Sequence, residues 1–282
     1  MFEKLKQLIE PVESVSADAA ADFMTKAKEG AYTLLDVRQP KEYERGHIPG
    51  AILIPLPQLS DSADQLDAEK PVVVYCAIGG RSRVAAHMLA GKGFKTGYNI
   101  KGGIMAWNGR VADGPAELNL DLVRGDESPA EIIALAYGME MGLGDFYRTM
   151  TSQVSDPDVA ALLDRLAVVE DKHKEYLLDL HRTILGSEPD VIGLESSANT
   201  RIVEGGFDAA TLVEKNRPIM QTVTGVLELA MMLETHALDL YLRFAGNVRK
   251  DTGRQILFAI ADEEKAHLAA LGDMMEQRGS TS

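Results

Sequence analysis

The chain has 282 residues, 45% of them apolar and 26% charged, with a net charge of −14. That is enough material for two cores, and the composition excludes the disordered, collagen-like and membrane-spanning classes. A single cysteine excludes an internal disulfide and a tetrathiolate metal site.

The acidity belongs to the second half: residues 1–112 carry 14 Lys and Arg against 13 Asp and Glu, whereas residues 113–282 carry 15 against 30. Phosphate-backbone binding needs a basic face, so no nucleic-acid partner is expected. The N-terminal MFEKLKQLIE alternates charged and apolar residues and has no secretory h-region. The longest stretch without Asp, Glu, Lys or Arg, 46–60, is too short for a bilayer and is broken by Pro49, Pro55 and Pro57. A cytoplasmic protein without a membrane partner is expected.

Short apolar runs at 32–37 (YTLLDV), 51–54 (AILI) and 72–76 (VVVYC) are bounded by Gly, Pro and Asp, as strands usually are. Helix-like segments at 19–27, 41–45, 57–66 and 82–91 alternate with them, the rhythm of a parallel α/β sheet with flanking helices. From about Gly109 turn formers and acids replace the alternation, and residues 113–127 are predicted to link two domains, 1–112 and 128–282.

Beyond the linker the strand signals stop. Ser128-Pro129 and Asp156-Pro157 each set a capping residue before a proline at the first helical position, and Gly186 and Gly279 follow the last apolar residues of two later helices. The pattern predicts helices at 128–152, 156–185, 219–248 and 252–277, with a short one near 208–216. A non-periodic stretch, 187–206, separates the first pair from the second. This describes an all-α four-helix bundle with one long crossover.

The second half also repeats itself. Adding 94 to Glu140, Asp145, Tyr147, Glu170 and His173 gives Glu234, Asp239, Tyr241, Glu264 and His267, each an identical residue. Glu and His at i and i+3 share a helix face. Two Glu-x-x-His helices and two single-Glu helices can therefore aim Glu140, Glu170, His173, Glu234, Glu264 and His267 at one volume, a carboxylate-rich cage for two iron ions, with manganese or zinc as substitutes. Six ionisable groups facing a core would be very costly without a metal to neutralise them. Tyr147 and Tyr241, two turns along the same faces, are expected to pack around the cage.

At these residues the sequence resembles the rubrerythrin branch of the ferritin-like family, over about 128–277. The resemblance implies a diiron centre that reduces peroxide or reacts with oxygen, fed by an external electron donor. Two departures stand out. The four-cysteine iron module of that branch is impossible with one cysteine, and Ala237 stands where it has an extra glutamate.

In the first half, VVVYCAIGGRSRVAAHML ends a strand at Tyr75 and starts a helix near Ser82. Between them the loop of Cys76, Ala77, Ile78, Gly79, Gly80 and Arg81 can curl its amides inward as an anion nest. Those amides, the helix N-terminus and Arg81 are expected to lower the thiol pKa and favour the nucleophilic thiolate.

Here the sequence resembles a single-domain rhodanese over about 14–109. The resemblance rests on Leu35-Asp36-Val37-Arg38, Gly46-His47-Ile48-Pro49-Gly50-Ala51, the Cys76-to-Arg81 loop, and Gly102-Gly103 with Trp107. It implies sulfurtransferase activity: sulfane sulfur from thiosulfate or a persulfide passes through a Cys76 persulfide, with Ala77, Ile78, Gly79, Gly80 and Ser82 binding the substrate, to a thiol or cyanide. Asp36, Arg38, His47 and Trp107 are read as framework. The expected whole is an enzyme that couples sulfur transfer to diiron chemistry of sulfide or oxidative stress, with a homodimer through the bundle. Its rival is a sulfur-carrier module whose bundle, with structural metal or none, serves dimerisation.

Overall fold

Parallel strands buried on both faces read as unbroken apolar runs, and TLLD and VVVY form the centre of a sheet in this way. The structure, a computed structural model, describes residues 12–279. The N-terminal segment read above as no secretory signal lies outside the described residues, as do the last three residues of the expected second domain. The chain divides into two compact units, Met1–Leu118 and Asn119–Ser282. The stretch expected as a linker, 113–127, is divided between them. Gly114 N donates to Glu44 O in the first unit, while Val123 and Glu127 are buried in the second.

The first unit is an α/β fold. Its strands are β1 (Glu13–Val15), β2 (Thr33–Asp36), β3 (Ile52–Leu53), β4 (Val72–Tyr75) and β5 (Gly97–Ile100), all parallel in the order β1-β5-β4-β2-β3. Helices α1 (Ala17–Lys26), α2 (Pro40–Glu44), α3 (Leu59–Ser62) and α4 (Gly80–Gly91) connect them. The expected parallel sheet is present, with two strands that the sequence reading did not foresee, β1 and β5. Leu35, Val72, Val74 and Leu89 fill one layer of core, and Leu34, Tyr43, Val73, Tyr75 and Ile100 fill another. The framework residues Arg38 and Asp36 form a buried pair, Arg38 Nη2 lying 2.7 Å from Asp36 Oδ2 and donating also to Gly46 O at 2.7 Å.

The second unit is largely helical. Its long helices are α5 (Pro129–Thr151), α6 (Pro157–Leu185), α9 (Val223–Asn247) and α10 (Asp251–Gly279). The reasons for their ends are local: a Ser128–Glu131 capping box opens α5, Asp156 caps α6 ahead of Pro157, and Gly186 in a left-handed conformation closes α6. The stretch between α6 and α9 was expected to be irregular up to 206. It contains α7 (Val191–Ser197) and an antiparallel pair, β6 (Ile202–Val203) and β7 (Phe207–Asp208), before α8 (Ala209–Asn216).

Each long helix contributes to two apolar clusters and changes from one to the other near its middle. The first cluster takes Leu143–Met150 of α5, Val159–Ala167 of α6, Val223–Leu233 of α9 and Leu271 of α10; the second takes Ile132–Met139, Leu177, Ala237–Ala245 and Ile256–Ala261. The order of the clusters along the chain makes α5 antiparallel to α6 and α9 antiparallel to α10. In every helix the change of cluster falls at the glutamates and histidines singled out above. Among the described residues, no helix is long and apolar enough to cross a membrane.

Candidate functional site

The sheet delivers Cys76 directly after β4, at the C-terminal edge where parallel α/β sheets place ligands. The residues after it turn at once into α4. Gly79 caps that helix with φ +91°, and a Cβ there would stand 3.1 Å from Gly102 N and 3.2 Å from Ile100 O, so only glycine fits the turn. The 103–106 turn braces the loop from the other side, Ile104 N donating to Cys76 O at 2.8 Å and Met105 N to Ala77 O at 3.1 Å.

The thiol is buried. Gly79 N donates to Sγ at 3.2 Å, and Ser82 Oγ lies 3.4 Å from Sγ and 2.6 Å from Asn99 Oδ1. Burial pushes the Cys76 thiol up, but the Ser82 hydroxyl and amide and the Ile78 and Gly79 amides outweigh it, and the pKa falls below the ordinary cysteine value. Of the expected loop residues, Ile78 and Gly79 turn their amides to the sulfur, with the Ile78 side chain facing solvent, while Ala77 and Gly80 show no hydrogen bond to it among the described residues. Arg81 is shared between two partners. Its guanidinium is held by Glu42, at 2.8 and 2.6 Å, and Glu42 is the main cause of its raised pKa, with the Cys76 thiolate adding to it. The side chain that does most to lower the thiol pKa is Ser82, and Asn99 and Glu42 are neighbours that sequence reasoning missed.

In the second unit all six residues of the repeat meet. Ligand atoms of Glu140, Glu170 and His173 lie within 4.8 Å of one another, as do those of Glu234, Glu264 and His267. His173 Nδ1 is 2.9 Å from Glu170 Oε2 and 3.2 Å from Glu140 Oε2; His267 Nδ1 is 3.2 Å from Glu264 Oε2 and 3.6 Å from Glu234 Oε2. Each imidazole thus turns its Nδ1 to the two carboxylates of its own set. The two rings stack with centroids 3.6 Å apart.

A seventh residue, which the sequence reading did not foresee, completes the cluster. Glu204, in the turn between β6 and β7, forms a third such set with Glu140 and Glu264. Burial, then the neighbouring carboxylates with Glu204 foremost, push Glu140 and Glu264 well above the usual carboxylate range. Burial and then Glu234 and Glu170 raise Glu204 to about 8. For Glu234 burial also pushes upward, but hydrogen bonds from His267 and Glu264 win and its pKa is lowered; His267 is raised in turn by Glu234 against its own burial.

The residues present fit a pair of divalent metal ions. Glu204 Oε2 and His173 Nε2 are buried without a hydrogen-bond partner, and a set of carboxylates and imidazoles compressed this closely is stable only when cations or protons neutralise it. Tyr147 and Tyr241 are buried in the apolar clusters, one on each side.

Residues 19–110 match the Rhodanese-like domain family, and this part of the chain is a rhodanese-like domain. YqhL, an uncharacterized protein of Bacillus subtilis, is 45% identical over 78 residues, which make up 28% of this chain and 62% of that protein. YrkF of the same organism, named as a proposed sulfur carrier protein, is 38% identical over 78 residues, 28% of this chain and 42% of that one. A rhodanese-related protein of Thermoplasma volcanium, of known structure, is 32% identical across 36% of this chain and 97% of its own, with a TM-score of 0.32. The chain spans less than two thirds of the length of these curated relatives.

Proposed function

We propose that the protein is a rhodanese-type sulfurtransferase joined to a rubrerythrin-like, ferritin-like four-helix bundle that holds two metal ions. The observation that carries the first part is the Cys76 sulfur surrounded by the Gly79 amide and the Ser82 hydroxyl, donors suited to a thiolate and to the monoanionic persulfide that replaces it. The Cys76 thiolate attacks the outer sulfur of thiosulfate. The new S–S bond forms as the old one breaks, and sulfite leaves with the electron pair. A thiolate or cyanide then attacks the terminal sulfur, taking it as a persulfide or thiocyanate and returning the Cys76 thiolate.

The second part is supported by the paired sets of Glu140, Glu170, His173 and Glu234, Glu264, His267 and by their orphaned buried atoms. A pair of iron ions held by these residues would supply electrons, drawn from an external donor, to peroxide or oxygen; manganese or zinc would satisfy the same ligands. The residues themselves fix the ions, keep apolar packing on both sides, and hold protons when the ions are removed.

A sulfur-carrier reading is favoured by the name of YrkF. In that version the Cys76 persulfide passes to a protein thiol rather than to a small molecule, and the bundle serves dimerisation.

Mass spectrometry after thiosulfate treatment tests the shared step: one added sulfur on the intact chain, absent from Cys76→Ala. Sulfur transfer that survives Cys76→Ala overturns the assignment. Turnover with cyanide and small thiols separates enzyme from carrier, and metal analysis after anaerobic iron loading should find two ions per chain.

A further inference from the structure

Glu204 belongs to neither half of the repeat. The other six groups come in two sets of three, one on α5 and α6 and one on α9 and α10, related by the offset of 94. Residue 110, which stands 94 positions before Glu204, is an arginine of the first unit, so this carboxylate has no counterpart 94 positions earlier.

The side chain is fully buried. Oε1 accepts a hydrogen bond from Tyr241 Oη at 3.3 Å, and Oε2 has no partner. Its ligand oxygen lies within 4.8 Å of those of Glu140, from the first set, and Glu264, from the second.

The turn that carries Glu204 is fixed by contacts of its own. Gly205 has φ +72°, and a Cβ there would stand 2.8 Å from His236 Cβ and from the Phe207 ring, so the chain can pass only as glycine. Asn119 Nδ2 donates to Gly206 O at 3.3 Å and reaches Gly205 O at 3.5 Å. Asn119 is itself held at φ +62°, the one non-glycine residue with positive φ among those described. Strained backbone of this kind persists where the surroundings over-determine it. Here what it holds in place is a carboxylate aimed between two others.

We propose that Glu204 is a seventh metal ligand, donated by the crossover rather than by a long helix, and that it serves both ion positions from between them. The proposal rests on the reading that the cluster binds two divalent ions. With the six helical ligands alone the two positions would have three donors each. A carboxylate grouped with Glu140 of one set and Glu264 of the other adds charge and a donor between them, and affinity for hard divalent ions rises with the number of carboxylates. Asn119 is the positioning residue of this ligand.

The test is calorimetric titration of Mn²⁺ into chelator-treated full-length protein, wild type and Glu204→Gln, with melting temperatures measured before and after. In the wild type two ions should bind. In Glu204→Gln the overall affinity for the two ions should weaken by about tenfold or more. A purely structural role predicts a lower melting temperature for metal-free Glu204→Gln. A ligand role predicts that the metal-free variant melts no lower than wild type and gains less on Mn²⁺ addition. Asn119→Ala should reproduce the weakened binding in milder form. Identical titrations for wild type and Glu204→Gln overturn the ligand role while leaving the two-ion reading intact. A wild type that binds no Mn²⁺ overturns both.

Discussion

Both terminal nitrogens of Arg81 are held by the Glu42 carboxylate, at 2.8 and 2.6 Å. The positive charge at the end of the cysteine loop is therefore largely neutralised by the protein itself. The pair is about one third exposed on each side, so its contribution to stability is modest, about 0.5 kcal/mol. The Arg81 hydrogen bond lowers the Glu42 pKa to about 2 from 4.5. A depressed carboxylate stabilises the fold above its unfolded pKa, and that stability is lost as pH falls towards 2.

Glu42→Gln should free the Arg81 charge for an incoming dianion. Its expected effect is a lower KM for thiosulfate, by up to about fivefold, with kcat little changed. Arg81→Ala should move KM the other way. Steady-state kinetics at low and high salt check both, because the gain in Glu42→Gln must fade as salt screens the charge.

Ser82→Ala should raise the thiol pKa, since it removes a donor to the sulfur. The sign follows from the thiolate being the charged form that the hydroxyl favours. The measurement is the pH dependence of iodoacetamide alkylation, whose midpoint should move to higher pH. Asn99→Ala should move it to lower pH, because the Ser82 hydroxyl, 2.6 Å from Asn99 Oδ1, is released to serve the sulfur. A Ser82→Ala midpoint at the wild-type value would exclude the hydroxyl from thiolate stabilisation.

Metal removal should destabilise the helical unit, and more so as pH rises. Glu140, Glu264 and Glu204 have raised pKa values in the metal-free fold, Glu204 near 8. The native state then holds more protons than the unfolded state, and stability falls as pH climbs from about 4.5 to about 8. Bound cations replace those protons. At a thousandfold excess over Kd each site contributes about 4 kcal/mol. Melting curves with and without chelator should diverge more at pH 8 than at pH 6.

Peroxide should inactivate sulfur transfer more slowly in the iron-loaded chain than in the chelated chain when an electron donor is present. Cys76 has no second thiol in the chain to rescue it from over-oxidation, and a peroxide-reducing centre on the same chain lowers the local oxidant concentration. Equal rates of loss would show that the cluster gives the thiol no protection.

The legible parts of the fold were those where one physical signal dominated. TLLD and VVVY were readable as strands because both faces are buried. By contrast β5, GYNI, is diluted by Gly97 and Asn99, and β1 is a three-residue edge strand that is mostly exposed, so neither has an apolar run to notice. The meeting of the six helical residues was legible because the repeat states them twice. Glu204 was not, because its approach to the cluster depends on a turn fixed by Gly205 and by the distant Asn119, and nothing in local periodicity marks such a residue. The pairing of Arg81 with Glu42 was not legible for the same reason: the two residues lie 39 positions apart.

The division of the helical unit into two apolar clusters with the carboxylates between them has a consequence for cooperativity. A continuous core unfolds as one body because every layer leans on the next. Here the waist between the two oily ends is lined by acids and imidazoles that repel one another unless protonated or bridged by cations, with Leu268 of α10 packed against both clusters. Bound metal would act as the mortar between two half-cores, and without it each end should open on its own free energy, exchanging its amide hydrogens at a separate rate.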